Sequence, residues 1–115
     1  MMEIKKIVEI LNAKIVGCKE IEDKNVEYGF SSDLMSDVLT LREDNILLIT
    51  GLANIQSIRT AELSDIKAIV LVRNKKPNEA MIQMAKESNI ALILCNYSMF
   101  KTSGLLFQNG LTPIY

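Results

Sequence analysis

Histidine and tryptophan are absent from this 115-residue chain, and aromatic residues make up only 5% of it. Without histidine, neither a Ser-His-Asp nor a Cys-His catalytic arrangement can be assembled from the chain itself. A typical zinc site loses its commonest nitrogen ligand for the same reason. The shortage of aromatic rings argues against a platform on which nucleic-acid bases stack. Cys18 and Cys95 are the only cysteines, far apart and in no CxxC pattern, and both read as small buried core residues. Glycine and proline are sparse, 5 and 2, which suits a compact domain rather than a linker-rich chain.

An excess of one charge is also missing. Lys+Arg total 13 and Asp+Glu 14, a formal net charge of -1. Nucleic-acid binding draws most of its affinity from a basic face that neutralises phosphates. The nearest feature is the short loop Arg73-Asn74-Lys75-Lys76, so no nucleic-acid partner is expected. No apolar run reaches membrane-spanning length, since Ile46–Ile49 and Ala68–Val72 are strand-sized. The N-terminal lysines are not followed by a continuous apolar stretch, so no signal peptide and a cytoplasmic location are expected.

What the chain does contain is apolar sequence, 49% of its residues, enough for one core in a single domain spanning 1–115. Ile4, Ile7, Val8 and Leu11 recur at helical spacing and predict an amphipathic helix over 3–12. Ala13–Val16 reads as a short strand closed by Gly17, 20–23 as a turn or short edge segment, and Val26–Phe30 as an alternating strand. Ile46–Thr50, Ala68–Val72 and Ile90–Leu94 read as buried strands. Between and after them lie three helices. One runs from about Asn54 to Leu63 with Ile55, Ile58, Ala61 and Leu63 inward. Another is capped by Asn78 and runs to Ser88 with Ala80, Met81, Met84 and Ala85 inward. The last runs from Ser98 to near Gly110. This alternation predicts an α/β fold, a single three-layer domain whose mainly parallel or mixed sheet carries helices on both faces. Ligands of such sheets bind beyond the carboxyl ends of the strands, here Thr50-Gly51, Arg73-Asn74 and Asn96-Tyr97.

One stretch is unusually polar. Gly29–Val38 reads GFSSDLMSDV and carries Ser31, Ser32, Asp33, Ser36 and Asp37 between apolar residues. Ser32 or Asp33 suits the N-cap of a short helix over 34–41 whose apolar set is Leu34, Met35, Val38 and Leu41. Capping accounts for two of the five polar residues. The same groups also suit a binding loop: hydroxyls and helix-end amides take phosphate or carboxylate, and an aspartate accepts from ribose hydroxyls or ligand amines. Neither GxGxxG nor a P-loop lysine is present. Together with Thr50, Gly51, Asn54 and Arg73, these five residues form the candidate ligand set, although Thr50-Gly51 and Asn54 read more readily as a turn and a helix cap. Asp33 and Asp37, four apart, would share a face if both lay on one helical turn, and could then bind magnesium or act as acid and base. No third ligand declares itself, so a metal-dependent hydrolase is the minor alternative; no catalytic residue, cofactor or metal site is assigned.

The run Tyr28–Val38 resembles the corresponding stretch of small stand-alone DRTGG-domain proteins. The similarity continues through Leu48-Ile49-Thr50-Gly51, Asn54-Ile55, Ala68–Leu71, Lys76-Pro77, Ala85-Lys86-Glu87 and Phe100–Leu111, and so covers essentially the whole chain. The resemblance implies a non-catalytic regulatory or ligand-sensing module. Such domains accompany CBS domains in some pyrophosphatases and precede the catalytic part of some phosphotransacetylases. Their fold is similar to the N-terminal domains of HPr kinase and of Mur ligases, and in the Mur ligases a comparable serine-and-aspartate segment approaches a uridine nucleotide. A nucleotide-type ligand, a homodimer and a separate partner enzyme are the matching expectations. The chain departs from the family pattern at two places: Gly51–Asn54 offers no Asp-Arg pair, and the Thr-Gly-Gly step appears as Val72-Arg73-Asn74. The rival expectation is a pure protein-interaction or dimerisation domain without a small ligand, using Gly104-Leu105-Leu106-Phe107, Leu111 and Ile114.

Overall fold

In the computed structural model, which describes residues 1–115, the first half of the chain holds β1 (Met2–Glu3), α1 (Ile4–Ile10), β2 (Lys14–Gly17), β3 (Asn25–Val26), β4 (Tyr28–Ser31) and α2 (Met35–Val38). The second half alternates regularly: β5 (Ile46–Thr50), α3 (Ile55–Leu63), β6 (Ala68–Leu71), α4 (Glu79–Glu87), β7 (Ala91–Leu94), α5 (Met99–Gln108) and β8 (Thr112–Pro113). Six strands make one sheet in the order β2-β7-β6-β5-β4-β8. β8, β4, β5, β6 and β7 are parallel, and β2 runs antiparallel to β7 at the edge. β1 and β3 form a separate antiparallel pair.

The unbroken apolar runs of β5, β6 and β7 follow from burial on both faces of the sheet. Side chains alternate across a strand, and the structure divides them accordingly. Leu47, Ile49, Val70 and Ile93 pack with Ile4, Ile7 and Leu11 of the α1 segment and Leu106 of α5. Ile46, Leu48, Ile69, Leu71 and Leu92 pack with Met35 and Val38 of α2, Ile58 and Ala61 of α3, and Met81 and Ala85 of α4. Two hydrophobic layers thus sandwich one sheet, the three-layer arrangement expected of the sequence.

Local chemistry sets the helix ends. The side chains of Asn54, Asn78 and Ser98 accept from the amides of Ser57, Met81 and Lys101 at 3.2, 2.9 and 3.1 Å, starting α3, α4 and α5. Asn12, Asp65 and Asn89 follow α1, α3 and α4 with φ of 47°, 56° and 57°, the left-handed turn that Asn and Asp tolerate best after glycine. Gly17 (φ 77°) has a stricter requirement, because a Cβ there would stand 2.7 Å from the Ile90 carbonyl oxygen. Cys18 and Cys95 are buried, and burial raises the Cys18 thiol pKa, with a bond to Glu20 acting in the same direction.

Several boundaries move. The first helix is shorter than 3–12, because Glu3 pairs with Asn25 in the small ribbon. The alternating strand over 26–30 is split between β3 and β4 at Glu27. The helix expected over 34–41 is a single turn, α2, and Leu34 is exposed. Leu63 and Ala80 also face solvent rather than the core, since neither falls on the stripe that meets the sheet. β1 and β8 are two-residue strands created by pairing, with no periodicity to announce them.

The buried stripe of α3 and its exposed final residue are expected to respond differently to truncation. Ile58→Ala, at a fully buried position, should cost about 2–4 kcal/mol. Leu63→Ala, at a position 78% exposed, should change stability by less than about 0.5 kcal/mol. Urea unfolding of both variants measures the contrast; comparable losses would contradict the placement of Leu63.

Candidate functional site

Because β4, β5 and β6 are parallel neighbours, their carboxyl ends share one rim. Ser31 stands opposite Ile49, and Thr50 opposite Leu71. The Ser32 amide continues the ladder by donating to the Ile49 carbonyl at 3.0 Å. The chain then crosses the tip of β5 and delivers Asp33 to it. Asp33 Oδ1 accepts from the Gly51 amide at 2.7 Å and from the Thr50 hydroxyl at 2.9 Å. Thr50 Oγ1 in turn accepts from the Leu52 amide at 3.1 Å. A carboxylate therefore caps the end of the central strand, and Oδ2 remains uncommitted.

The Gly51 amide is the main cause holding the Asp33 carboxyl below the usual aspartate range. Partial burial opposes it, while the Thr50 hydroxyl and the charges of Arg73 and Lys75 assist. Asp33 is thus an ionised acceptor near neutral pH. Arg73 lies over Gly51: a Cβ on that glycine would meet the guanidinium at 2.6 Å from Nη2. The glycine leaves room for the guanidinium, which forms no ion pair of its own.

The expected N-cap role of Ser32 or Asp33 does not hold. Leu34 occupies the N-cap position of α2 without any side-chain cap bond. Ser32 Oγ instead accepts from the Leu34 amide at 3.0 Å, closing a local turn, and Asp33 is drawn to β5. Ser31 points to the other layer, where its hydroxyl shares a 2.6 Å hydrogen bond with that of Ser103 in α5. Ser36 and Asp37 are exposed on α2, and no hydrogen bond joins them to the cluster; Asp37 contributes its carbonyl oxygen to Thr40. Since Asp33 precedes α2, the two aspartates do not share a helical turn. Asn54 is occupied as the cap of α3. Of the candidate set, Asp33, Thr50, Gly51 and Arg73 come together, Ser31 and Ser32 flank them, and Ser36, Asp37 and Asn54 stand outside that bonded group. No three His, Cys, Asp or Glu side chains gather as a metal cluster.

A model of the DRTGG domain matches residues 6–108. The chain belongs to the DRTGG-domain family. A crystal structure of the CBS and DRTGG domains of the regulatory region of Clostridium perfringens pyrophosphatase, complexed with its activator diadenosine tetraphosphate, has the same fold, with a TM-score of 0.74 and 15% identity. The match covers 96% of this chain and 48% of that one, so the present chain spans about half of that structure's length. No curated protein sequence matches it. No helix is long and apolar enough to cross a membrane.

The DRTGG fold clarifies the altered signature. Arg73 and Asn74, which stand where the resemblance places two glycines, have φ of 59° and 58°. The backbone keeps a left-handed shape that costs a residue such as arginine about 1 kcal/mol. Their amides donate to the carbonyls of Tyr97 and Cys95 at 2.8 and 2.9 Å, so neither amide is open to an anion. What this DRTGG domain offers at that corner is side chains.

Sequence reasoning overlooked Ser103, which carries no local signal because its partner Ser31 lies 72 residues away. Ser103 borders an apolar cleft of about 340 Å³ between α5 and the β4–β8 edge, lined also by Phe100, Gly104 and Phe107.

Asp33→Asn keeps the side chain's shape and removes its charge. It is expected to destabilise the domain by about 1 kcal/mol at pH 7, a value kept low because the site is open to solvent. The folded-state pKa of Asp33 is depressed, so its stabilising contribution is complete above the unfolded value. That contribution is lost as pH falls through the folded one. The gap between wild type and variant should therefore shrink below pH about 4, which urea unfolding at pH 7 and pH 3 measures. A gap of the same size at both pH values would count against this account.

Proposed function

We propose that this DRTGG domain is a non-catalytic regulatory module of the cytoplasm that senses a nucleotide-type ligand and acts on a partner enzyme. The observation that carries the reading is the convergence of Asp33 and Arg73 on Gly51 at the strand tips. One carboxylate oxygen is fixed by backbone while the other is free to accept from a ribose hydroxyl or a base amine. The adjacent guanidinium is the side chain best suited to grip a phosphate through two parallel hydrogen bonds. The carboxyl ends of parallel strands are where such ligands are received. A carboxyl held ionised serves as an acceptor and is poorly suited to act as a general acid. The pyrophosphatase regulatory region of similar fold is described as bound to a nucleotide activator, which supports the ligand class by analogy.

Calorimetric titration with adenine and uridine nucleotides tests the reading. Wild type should bind at least one of them, and Asp33→Ala and Arg73→Ala should each weaken binding about tenfold, the equivalent of one charge-assisted hydrogen bond. Undiminished affinity in Asp33→Ala would remove that residue from the site.

A second reading, self-association, is favoured by a specific surface. Leu106 and Leu111 of the expected interaction segment are buried in the core, whereas Phe107 and Phe100 are 66% and 90% exposed along α5. Gly104 lies between them with nothing within 4 Å of the position a Cβ would take. The cleft they border carries no charged residue, so a second copy could present the same face without like-charge repulsion. Sedimentation equilibrium at micromolar concentration should show a dimer, and Phe100→Ser with Phe107→Ser should return it to monomer. A wild-type monomer across that range would defeat the dimer.

A further inference from the structure

The antiparallel edge strand has a chemical consequence. β2 pairs with β7 so that Lys14 stands opposite Leu94, and the beginning of β2 therefore reaches the rim where the parallel strands end. Asn12 and Lys14 there meet Asn74, Lys75, Lys76 and Asn96 around a hollow of about 570 Å³. Three lysines and three asparagines are among its lining residues, and no acidic residue is. In a chain with 14 acidic and 13 basic residues, that is a marked separation of charge.

These side chains are not used by the fold. The ion pairs of the molecule are made by Lys5 and Lys67 alone. The side chains of Asn54, Asn78 and Asn109 are hydrogen-bonded to backbone, whereas those of Asn12, Asn74 and Asn96 form no hydrogen bond. The rim itself is held in place. Asn74 donates its amide to the Cys95 carbonyl at 2.9 Å, tying the loop after β6 to the end of β7, and Lys75 closes the turn by donating to the Val72 carbonyl at 3.2 Å. The hollow also has apolar lining from Val16, Ile82 and Leu94.

We propose that this hollow binds the diphosphate group of a small phosphorylated molecule. Three ammonium charges match the roughly three negative charges of a diphosphate ester near neutral pH. The carboxamide N–H groups add donors to the remaining phosphate oxygens, and the apolar lining accommodates an uncharged ring or chain attached to the phosphates. The hollow adjoins the Asp33–Arg73 cluster, with Asn74 and Lys75 following Arg73 in the chain, but it shares no lining residue with that cluster. The absence of an aromatic ring from the hollow disfavours a single-stranded nucleic acid as occupant.

Calorimetry at low ionic strength with ADP and with inorganic pyrophosphate tests the proposal. Both probes should bind, with affinity falling as salt is raised. Lys14→Glu and Lys75→Glu should each reduce affinity tenfold or more. Lys6→Glu, an exposed lysine outside the hollow, should leave it within twofold and so control for net charge; pyrophosphate, which has no ribose hydroxyl or base amine for Asp33 to accept from, separates this site from the strand-tip cluster. The proposal is overturned if neither probe binds, if Lys6→Glu is as damaging as Lys75→Glu, or if an oligothymidylate binds more tightly than ADP.

Discussion

Burial of both faces of three adjacent parallel strands is the constraint on which the rest of the structure depends. Once Ile46–Thr50, Ala68–Leu71 and Ala91–Leu94 are covered on each side, their helices must return over the sheet, and every strand in that block ends on the same rim. That geometry leaves the rim as the place where loops are free to carry polar chemistry. Thr50, fully buried at the tip of β5, marks the point at which the apolar layer gives way to hydrogen bonding.

The Asp33 carboxylate joins structure and prospective function in one group. Its bonds to the Gly51 amide and the Thr50 hydroxyl satisfy donors that would otherwise lack partners at the strand end. The same bonds orient the carboxylate and keep it charged. A residue committed through one oxygen and open through the other would lose little further side-chain freedom on binding the ligand proposed above. Arg73 reaches the same spot only because Gly51 has no side chain.

Arg73 and Asn74, where the resemblance places two glycines, hold a left-handed turn and present side chains from it. The left-handed backbone persists, and bonds to Tyr97 and Cys95 supply the tertiary support that such a conformation requires in non-glycine residues. With both amides bonded internally, the turn presents charge and side-chain donors in place of open backbone. The lysines that follow, together with Lys14 from the opposite end of the sheet, extend the positive character of this corner of the rim.

Much of the fold was legible because its signals are local. Continuous apolar runs of four or five residues specify doubly buried strands, and Asn54, Asn78 and Ser98 announce their helices through bonds to amides three residues on. The DRTGG pattern was legible in the Tyr28–Val38 run. What local sequence could not convey was the partner of each polar group. Ser32 and Asp33 look like helix caps until β5 presents the Gly51 amide, which is 18 residues away along the chain and offers a better-placed donor than α2. Ser31 finds Ser103, and Lys14 finds the loops after β6 and β7, only because the sheet places distant strands edge to edge. The amino-acid order by itself determined which segments must be buried and where helices start. Tertiary structure alone decided which hydroxyls, carboxylates and ammonium groups share a site, because hydrogen bonds and charges act through space over a few ångströms, whatever the separation along the chain.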